Sequence, residues 1–223
     1  MCLGYGVAMI YVVRKGGGNM AAFDTWHVGQ AIFGSHSRCK VPYQVRTSLT
    51  HPLQIATLSI GENKARVGIT ICPGKVDHTS AGGPWERDLQ ADVAAIQGWG
   101  ASSVLTLLEA HEFDLLNVRG LPEAVRDAGM IWHHAPIPDV SVPRQAFDAA
   151  WRTIGPRLVE QLRHGQSVVV HCRGGLGRAG MIAARLVTIV GEEPSRAIER
   201  VRAVRPGAIE TPAQEAYVLG QRV

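Results

Sequence analysis

The stretch VVVHCRGGLGRAG, residues 168–180, holds the side chains best suited to chemistry: Cys172, and Arg178 six positions later, with Gly174, Gly175, Gly177 and Gly180 around them. The apolar run Val168–Val170 reads as a strand, and the residues from Arg178 onward read as a helix. In a strand-to-helix turn, backbone N–H groups can converge on one point and form a nest for an anion. The helix that follows adds its positive N-terminal end to the same spot. Glycines let the chain take positive φ and come close to the anion. Arg178 brings a planar fork of donors that matches two oxygens of a phosphate. The same surroundings suit a thiolate, because helix N-termini and nearby cations lower a cysteine from about 8.5 into the range of about 3.5–7.5. These residues therefore read as a nucleophile, Cys172, inside an oxyanion cradle made of Arg173, Gly174, Gly175, Leu176, Gly177 and Arg178.

A glycine-rich turn alone is weak evidence, and neither a Walker lysine nor GxGxxG fits this one. The segment HCRGGLGR is more specific. It resembles the Cys-x5-Arg signature loop of the cysteine-based protein tyrosine phosphatases. WHHAPIPD, GAIETPAQEAYV and the signature loop together most resemble the kinase-associated (cyclin-dependent-kinase-inhibitor-like) branch of the dual-specificity type. The resemblance covers roughly residues 65–220. It implies a general acid about thirty residues upstream, and Asp139 in PIPDVSVP stands 33 positions before Cys172. It also implies that Gln214 positions water for the second step, and that His171 orients the loop and helps set the thiol.

The mechanism implied is in-line attack by Cys172 on phosphorus, with Arg178 and the loop amides holding the non-bridging oxygens. Asp139 would protonate the leaving oxygen and then serve as base for the water that hydrolyses the phosphocysteine. Where the family usually has Ser or Thr after the arginine, hydrogen-bonded to the sulfur, this sequence has Ala179. A slower breakdown of the phosphoenzyme is expected from that change. Nothing in the pattern calls for a metal or a cofactor.

These residues need a scaffold. Gln54–Ile60 and Arg66–Cys72 read as strands around a turn at Gly61–Asn63, with a second turn at Pro73–Gly74. WERDLQADVAAIQGWG, after Pro84, has Leu89, Val93 and Ile96 at helical spacing and a stop at Gly98 or Gly100. Strands are expected at Ser103–Leu108, Met130–His134 and 167–171. Helices are expected around His111–Leu116 and Pro122–Ala128, with Gly129 as a stop, and then over 145–163, 178–190, 194–204 and 212–221. Alternating strands and helices predict an α/β three-layer sandwich whose central, mostly parallel sheet of about five strands is flanked by helices, the phosphotyrosine phosphatase fold.

Residues 1 to about 50 show no sustained periodicity and read as a leader or upstream extension, leaving 51–223 as a single domain. The apolar opening CLGYGVAMIYVV is too short for a membrane span and fits a signal peptide poorly. Charge is uneven: residues 151–223 carry eleven arginines against six glutamates, whereas 76–150 carry four basic and eleven acidic residues. A basic third around the loop suits an anionic substrate. The four cysteines show no CxxC and no metal-like spacing, so a reducing cytoplasm is the expected setting. Cys72 reads as a buried thiol, with a redox partnership to Cys172 as the alternative. His133, His134, Glu109 and His111 read as strand and turn residues, and Trp85, Arg87 and Asp88 as packing and capping at a helix start.

The expected function is a phosphomonoester hydrolase, a protein tyrosine or dual-specificity phosphatase, acting as a monomer on a phosphorylated protein or a small phosphomonoester. Nucleic acid and membrane partners are not expected. A phosphatase for inositol phosphates or another non-protein substrate remains an alternative, though RGGLG lacks the lysines common in inositide enzymes. A phosphate reader without turnover is another. Sulfur transfer and arsenate reduction fit less well, because their loops are shorter or stand in the reverse order to the acid.

Overall fold

The computed structural model describes residues 44–62, 64–80 and 82–221. The chain opens with β1 (Ala56–Ile60) and β2 (Ala65–Thr70), an antiparallel hairpin whose turn uses Gly61 at φ +51°. Two short strands follow, β3 (Val76–Asp77) and β4 (Trp85–Glu86), and then α1 (Leu89–Trp99) and β5 (Ala101–Thr106). Next come α2 (Ala110–Leu115), α3 (Leu121–Asp127), β6 (Ile131–His134) and α4 (Gln145–Arg163). The chain continues with β7 (Ser167–His171), α5 (Gly177–Ile189), α6 (Pro194–Val204) and α7 (Pro212–Leu219).

The main sheet has five strands in the order β1-β2-β7-β5-β6, parallel except for the β1 edge, as the alternating pattern predicted. β7 lies in the middle and is buried throughout. Its period-two alternation divides its valines between the two faces of the sheet. Val168 and Val170 pack with Phe147 and Leu158 of α4, Met181 and Leu186 of α5, and Ile198 of α6. Val169 packs on the other face with Val93 and Ile96 of α1 and Val125 of α3. Each valine so buried contributes about 1.5–3 kcal/mol. The strand that ends at the nucleophile is therefore anchored from both sides, and the loop leaves it at the carboxyl edge, where open α/β sheets bind ligands.

Most boundaries match the periodicity. The exception is the region around Trp85, which was expected to begin a helix. Trp85 and Glu86 instead pair with Asp77 and Val76 as β4. The helix begins at Leu89 because the Asp88 side chain accepts the Ala91 N–H at 2.7 Å as N-cap. It ends at Gly100 with φ +92°. Arg87 is buried and grips Asp92 with Nε–Oδ2 at 2.6 Å and Nη2–Oδ1 at 2.8 Å.

Of the stretch read as a leader, residues 1–43 lie outside the described residues. Closer to the domain, Arg46 N–H donates to the Pro84 carbonyl at 3.0 Å, and Ser48 Oγ donates to Asp92 Oδ1 at 2.8 Å. No described helix is long and apolar enough to cross a membrane.

Candidate active site

The loop from Cys172 to Leu176 joins the end of β7 to the start of α5, and its geometry follows from where its carbonyls go. The Arg173 carbonyl accepts from Lys75 Nζ at 3.3 Å and from the Cys72 N–H at 3.4 Å. Arg205 holds the next two, with Nη2 to the Gly174 carbonyl at 3.3 Å and Nε to the Gly175 carbonyl at 3.0 Å. In a trans peptide plane the N–H points opposite to the C=O. Three carbonyls tied behind the loop therefore turn the following N–H groups toward the cleft, which makes the nest. The Gly175 N–H donates to Cys172 Sγ at 3.2 Å. Gly175 has φ +64°, and a Cβ there would collide with the Thr70 carbonyl, so only glycine fits.

Arg178 is buried, with 2% of its surface exposed. Its guanidinium forks onto Glu112, with Nη1–Oε2 at 2.6 Å and Nη2–Oε1 at 2.8 Å, and Nη1 also donates to the Ile137 carbonyl at 3.1 Å. Glu112 Oε2 accepts the Glu109 N–H at 2.9 Å, closing a box at the start of α2. Burial alone would push the Glu112 carboxyl up, but Arg178 and the Glu109 amide hold it below the usual carboxylate range. Burial likewise disfavours the Arg178 cation, and the Glu112 pair overrides it. Glu112 is one of the residues that sequence reading missed, with Arg205 and Glu210. Its E-x-x-E spacing signals a cap, but nothing local reveals a partner 66 positions away.

Asp139 lies across the cleft, after β6. Its Oδ1 is 2.8 Å from Arg178 Nη2, and its side chain is 52% exposed. The carboxylate thus occupies a donor that a substrate oxygen would use. Val140, next in the chain, has φ +54°, an unfavourable conformation for a β-branched residue. Cys172, Arg178 and Asp139 line one cleft of about 360 Å³, together with Arg173, Gly174, Leu176, Lys75, Asp77, Thr79 and Glu210 among others. The Arg173 side chain is pinned to the cleft wall, with Nε and Nη2 each 3.1 Å from an Asp77 oxygen.

Of the other predicted residues, His171 lies behind the cleft and Gln214 against the end of the loop. His171 is fully buried, and its Nε2 is 2.8 Å from Thr106 Oγ1. That hydroxyl already accepts the Trp132 Nε1–H at 2.9 Å. It is then best used as donor to Nε2, which leaves the His171 proton on Nδ1, facing the Cys172 backbone without a well-formed hydrogen bond. Burial pushes His171 down to about 3, so it stays neutral at physiological pH.

Gln214 is also buried. Its Oε1 accepts the Glu210 N–H at 2.9 Å and its Nε2 donates to the Ser141 carbonyl at 3.1 Å. Each polar atom of the carboxamide thus has one backbone partner, and both stand against Gly177, where a Cβ would meet them at 2.9 Å, while Glu210 lines the cleft. Cys72 and Cys172 are both free thiols, and burial raises Cys72 well above the usual range, as befits a core thiol against the loop. His133 is buried on β6, and His134 holds the Leu108 carbonyl at 2.8 Å, so neither reaches the cleft.

Several known proteins resemble this chain. The family model described as "Tc-R-P: Polymorphic toxin system, DSP-PTPase phosphatase" matches residues 80–192, about half of the chain. "Cyclin-dependent kinase inhibitor 3" of Rattus norvegicus is 31% identical over 135 residues, which cover 59% of this chain and 62% of that protein. The chain thus spans less than two thirds of the length of that curated relative. The crystal structure of kinase associated phosphatase, with its catalytic-site cysteine substituted by serine, superimposes with a TM-score of 0.65 at 26% identity, covering 77% of this chain and 98% of that one. Tk-PTP in its active form shares the fold, with a TM-score of 0.54 at 24% identity, covering 72% of this chain and 95% of that one. The chain belongs to the DSP-PTPase phosphatase family.

Proposed function

We propose that this protein hydrolyses phosphate monoesters of phosphorylated proteins through a phosphocysteine on Cys172. One observation carries the reading. The Cys172 sulfur lies under an inward amide at 3.2 Å, in the same cleft as a guanidinium fixed by Glu112 and a half-exposed acid, Asp139.

A bound phosphate places its non-bridging oxygens against the loop amides and Arg178. It displaces the Asp139 carboxylate from Nη2, because both compete for one donor. Released beside a phosphate dianion, Asp139 gains a proton and delivers it to the leaving oxygen as the Cys172–P bond forms. Water then cleaves the phosphocysteine. Because the cradle is already formed, little reorganisation is needed at the moment of reaction.

Every group named comes from one chain, which supports action as a monomer. A nucleophilic thiol needs a reducing compartment, which supports a cytoplasmic location. The similarity to kinase associated phosphatase supports a phosphoprotein substrate over a small phosphomonoester.

The test is turnover of p-nitrophenyl phosphate by the metal-free protein beside Cys172→Ser. Wild type should release phosphate, and the serine variant should fall to background while keeping its fold by circular dichroism. Turnover surviving in Cys172→Ser would overturn the assignment.

A further inference from the structure

The first peptide of the signature loop is held differently from those that follow it. The carbonyls of Arg173, Gly174 and Gly175 go to Lys75, the Cys72 N–H and Arg205. Beside the Cys172 backbone stands instead the Nδ1 edge of the fully buried His171 ring, which has no other hydrogen bond among the described residues. That contact favours a proton on the ring, so the backbone group facing it is an acceptor, the Cys172 carbonyl. In a trans peptide the Arg173 N–H then points the opposite way, toward the cleft.

A neutral imidazole carries one N–H, and which nitrogen holds it decides whether this contact attracts or repels. Burial keeps the ring neutral, and the charges that act on it, Arg178 and Glu112, are paired with each other. A proton on Nδ1 meets the carbonyl oxygen. A proton on Nε2 would set a lone pair of Nδ1 against that oxygen, and the first peptide would turn away.

The far end of the ring settles the choice. β5 brings Thr106 opposite His171 of β7 on one side and His134 of β6 on the other. Thr106 Oγ1 is 2.8 Å from His171 Nε2 and 2.9 Å from Trp132 Nε1. An indole N–H only donates, so it takes a lone pair of the hydroxyl. The hydroxyl proton then has one acceptor among the described hydrogen bonds, His171 Nε2. Were Nε2 protonated, that buried hydroxyl hydrogen would have no acceptor. Trp132 is itself held, stacked with His134 at 5.5 Å between centroids and with Arg126 5.1 Å from its ring centre.

We infer that Thr106 and Trp132 are positioning residues that fix the His171 tautomer and, through it, the first peptide of the phosphate cradle. Neither lines the cleft, and both act through His171. Their effect on phosphate binding rests on the phosphatase reading above.

The experiment reads the ring and the cradle separately. Nitrogen NMR of histidine-labelled protein reports which nitrogen of His171 is protonated. Inhibition of p-nitrophenyl phosphate turnover by inorganic phosphate reports the cradle. Wild type shows the proton on Nδ1. Thr106→Val nearly keeps the shape but removes the donor, so the Nε2-protonated ring appears and phosphate binds about 2–10-fold more weakly, the worth of one hydrogen bond. Thr106→Ser restores both readings. Trp132→Phe, which frees the hydroxyl to accept from Nε2, also shows both tautomers. A wild-type proton on Nε2 would overturn the assignment. So would a Thr106→Val or Trp132→Phe ring still protonated only at Nδ1, whatever its turnover, which marks residues that merely pack. Phosphate affinity unchanged once the tautomer has shifted, or not restored by Thr106→Ser, would do the same. If Thr106→Val does not fold, the wild-type and Trp132→Phe spectra decide. Wild-type protein that neither turns over nor binds phosphate would instead overturn the phosphatase reading, with the tautomer still readable.

Discussion

From Arg173 to Gly175 every carbonyl of the signature loop is tied to a donor behind it, and Cys172 and Arg178 at its ends are 3% and 2% exposed. Across the cleft, the acid segment from Pro138 to Ser141 is exposed at Asp139 and Val140 and carries a positive φ at Val140. A few contacts hold it: Ser141 N–H to the Pro138 carbonyl at 3.1 Å, Gln214 to Ser141, and Asp139 to Arg178. The contrast follows the chemistry. Oxyanion binding gains from a site built in advance, so that loop belongs to the core. Proton delivery needs a group that can leave Arg178 when phosphate arrives, so its segment sits at the low-stability surface.

The contrast would break if Asp139 proved structural. Asp139→Asn should cost about 10²–10⁴-fold in kcat on an alkyl phosphate, the usual share of general acid catalysis, and far less on a nitrophenyl leaving group. Its thermal midpoint should barely move. Equal losses on both substrates would contradict its role as acid.

Glu112→Gln probes the other side. It removes the buried counter-charge of Arg178 and leaves only the half-exposed Asp139 beside the cation, a loss of about 3–5 kcal/mol in urea unfolding. A loss under 1 kcal/mol would show that the guanidinium is held mainly by carbonyls.

Acidification should sharpen the difference further. Buried His171 has its pKa pushed down to about 3 in the folded protein, against 6.5 unfolded, so between those values only the unfolded chain takes up the proton. Stability is therefore full above about 6.5 and falls as pH drops toward 3, with a slope of up to about 1.4 kcal/mol per pH unit from this group. Glu112 adds loss of the same sign below the ordinary carboxylate range, since its folded pKa is lowered. His171→Gln should flatten the upper part of the profile, measured as urea midpoints from pH 7 to 4.5. An unchanged slope would mean that another group carries it.

The smallest effect belongs to Ala179, at the loop's exit. Ala179→Ser adds the hydroxyl expected to stabilise the leaving thiolate. One hydrogen bond, about 0.5–1.5 kcal/mol, corresponds to a rise of about 2–10-fold in phosphocysteine breakdown. Stopped-flow measurement of burst against steady state reads it directly, and a slower steady state would contradict the expectation.

Local signals carried most of the fold. α6 begins at Pro194 and ends at Val204 as its periodicity predicts, and β7 ends at His171, beside the loop. The two-residue strands β3 and β4 were invisible, being too short to show any period. So was their consequence, the Asp77–Arg173 pair joining positions 96 apart. That Cys172, Arg178 and Asp139 share one cleft was legible because the signature loop resembles that of the phosphatases and the resemblance points upstream to the acid. Glu112 and Arg205, which fix the arginine and the loop carbonyls, were not, because folding alone brings them there. Gln214 was legible in type, but that its carboxamide bonds the Glu210 N–H and the Ser141 carbonyl, with Glu210 at the cleft wall, depends on the folded turn before α7.

The most direct test of the account is acid quenching of wild-type protein during turnover of a phosphorylated substrate, followed by mapping of any covalent phosphate. The account predicts phosphate on the peptide that contains Cys172, approaching one per chain, and none in Cys172→Ala. Phosphate on another side chain, or steady release by Cys172→Ala with no covalent species, would contradict it.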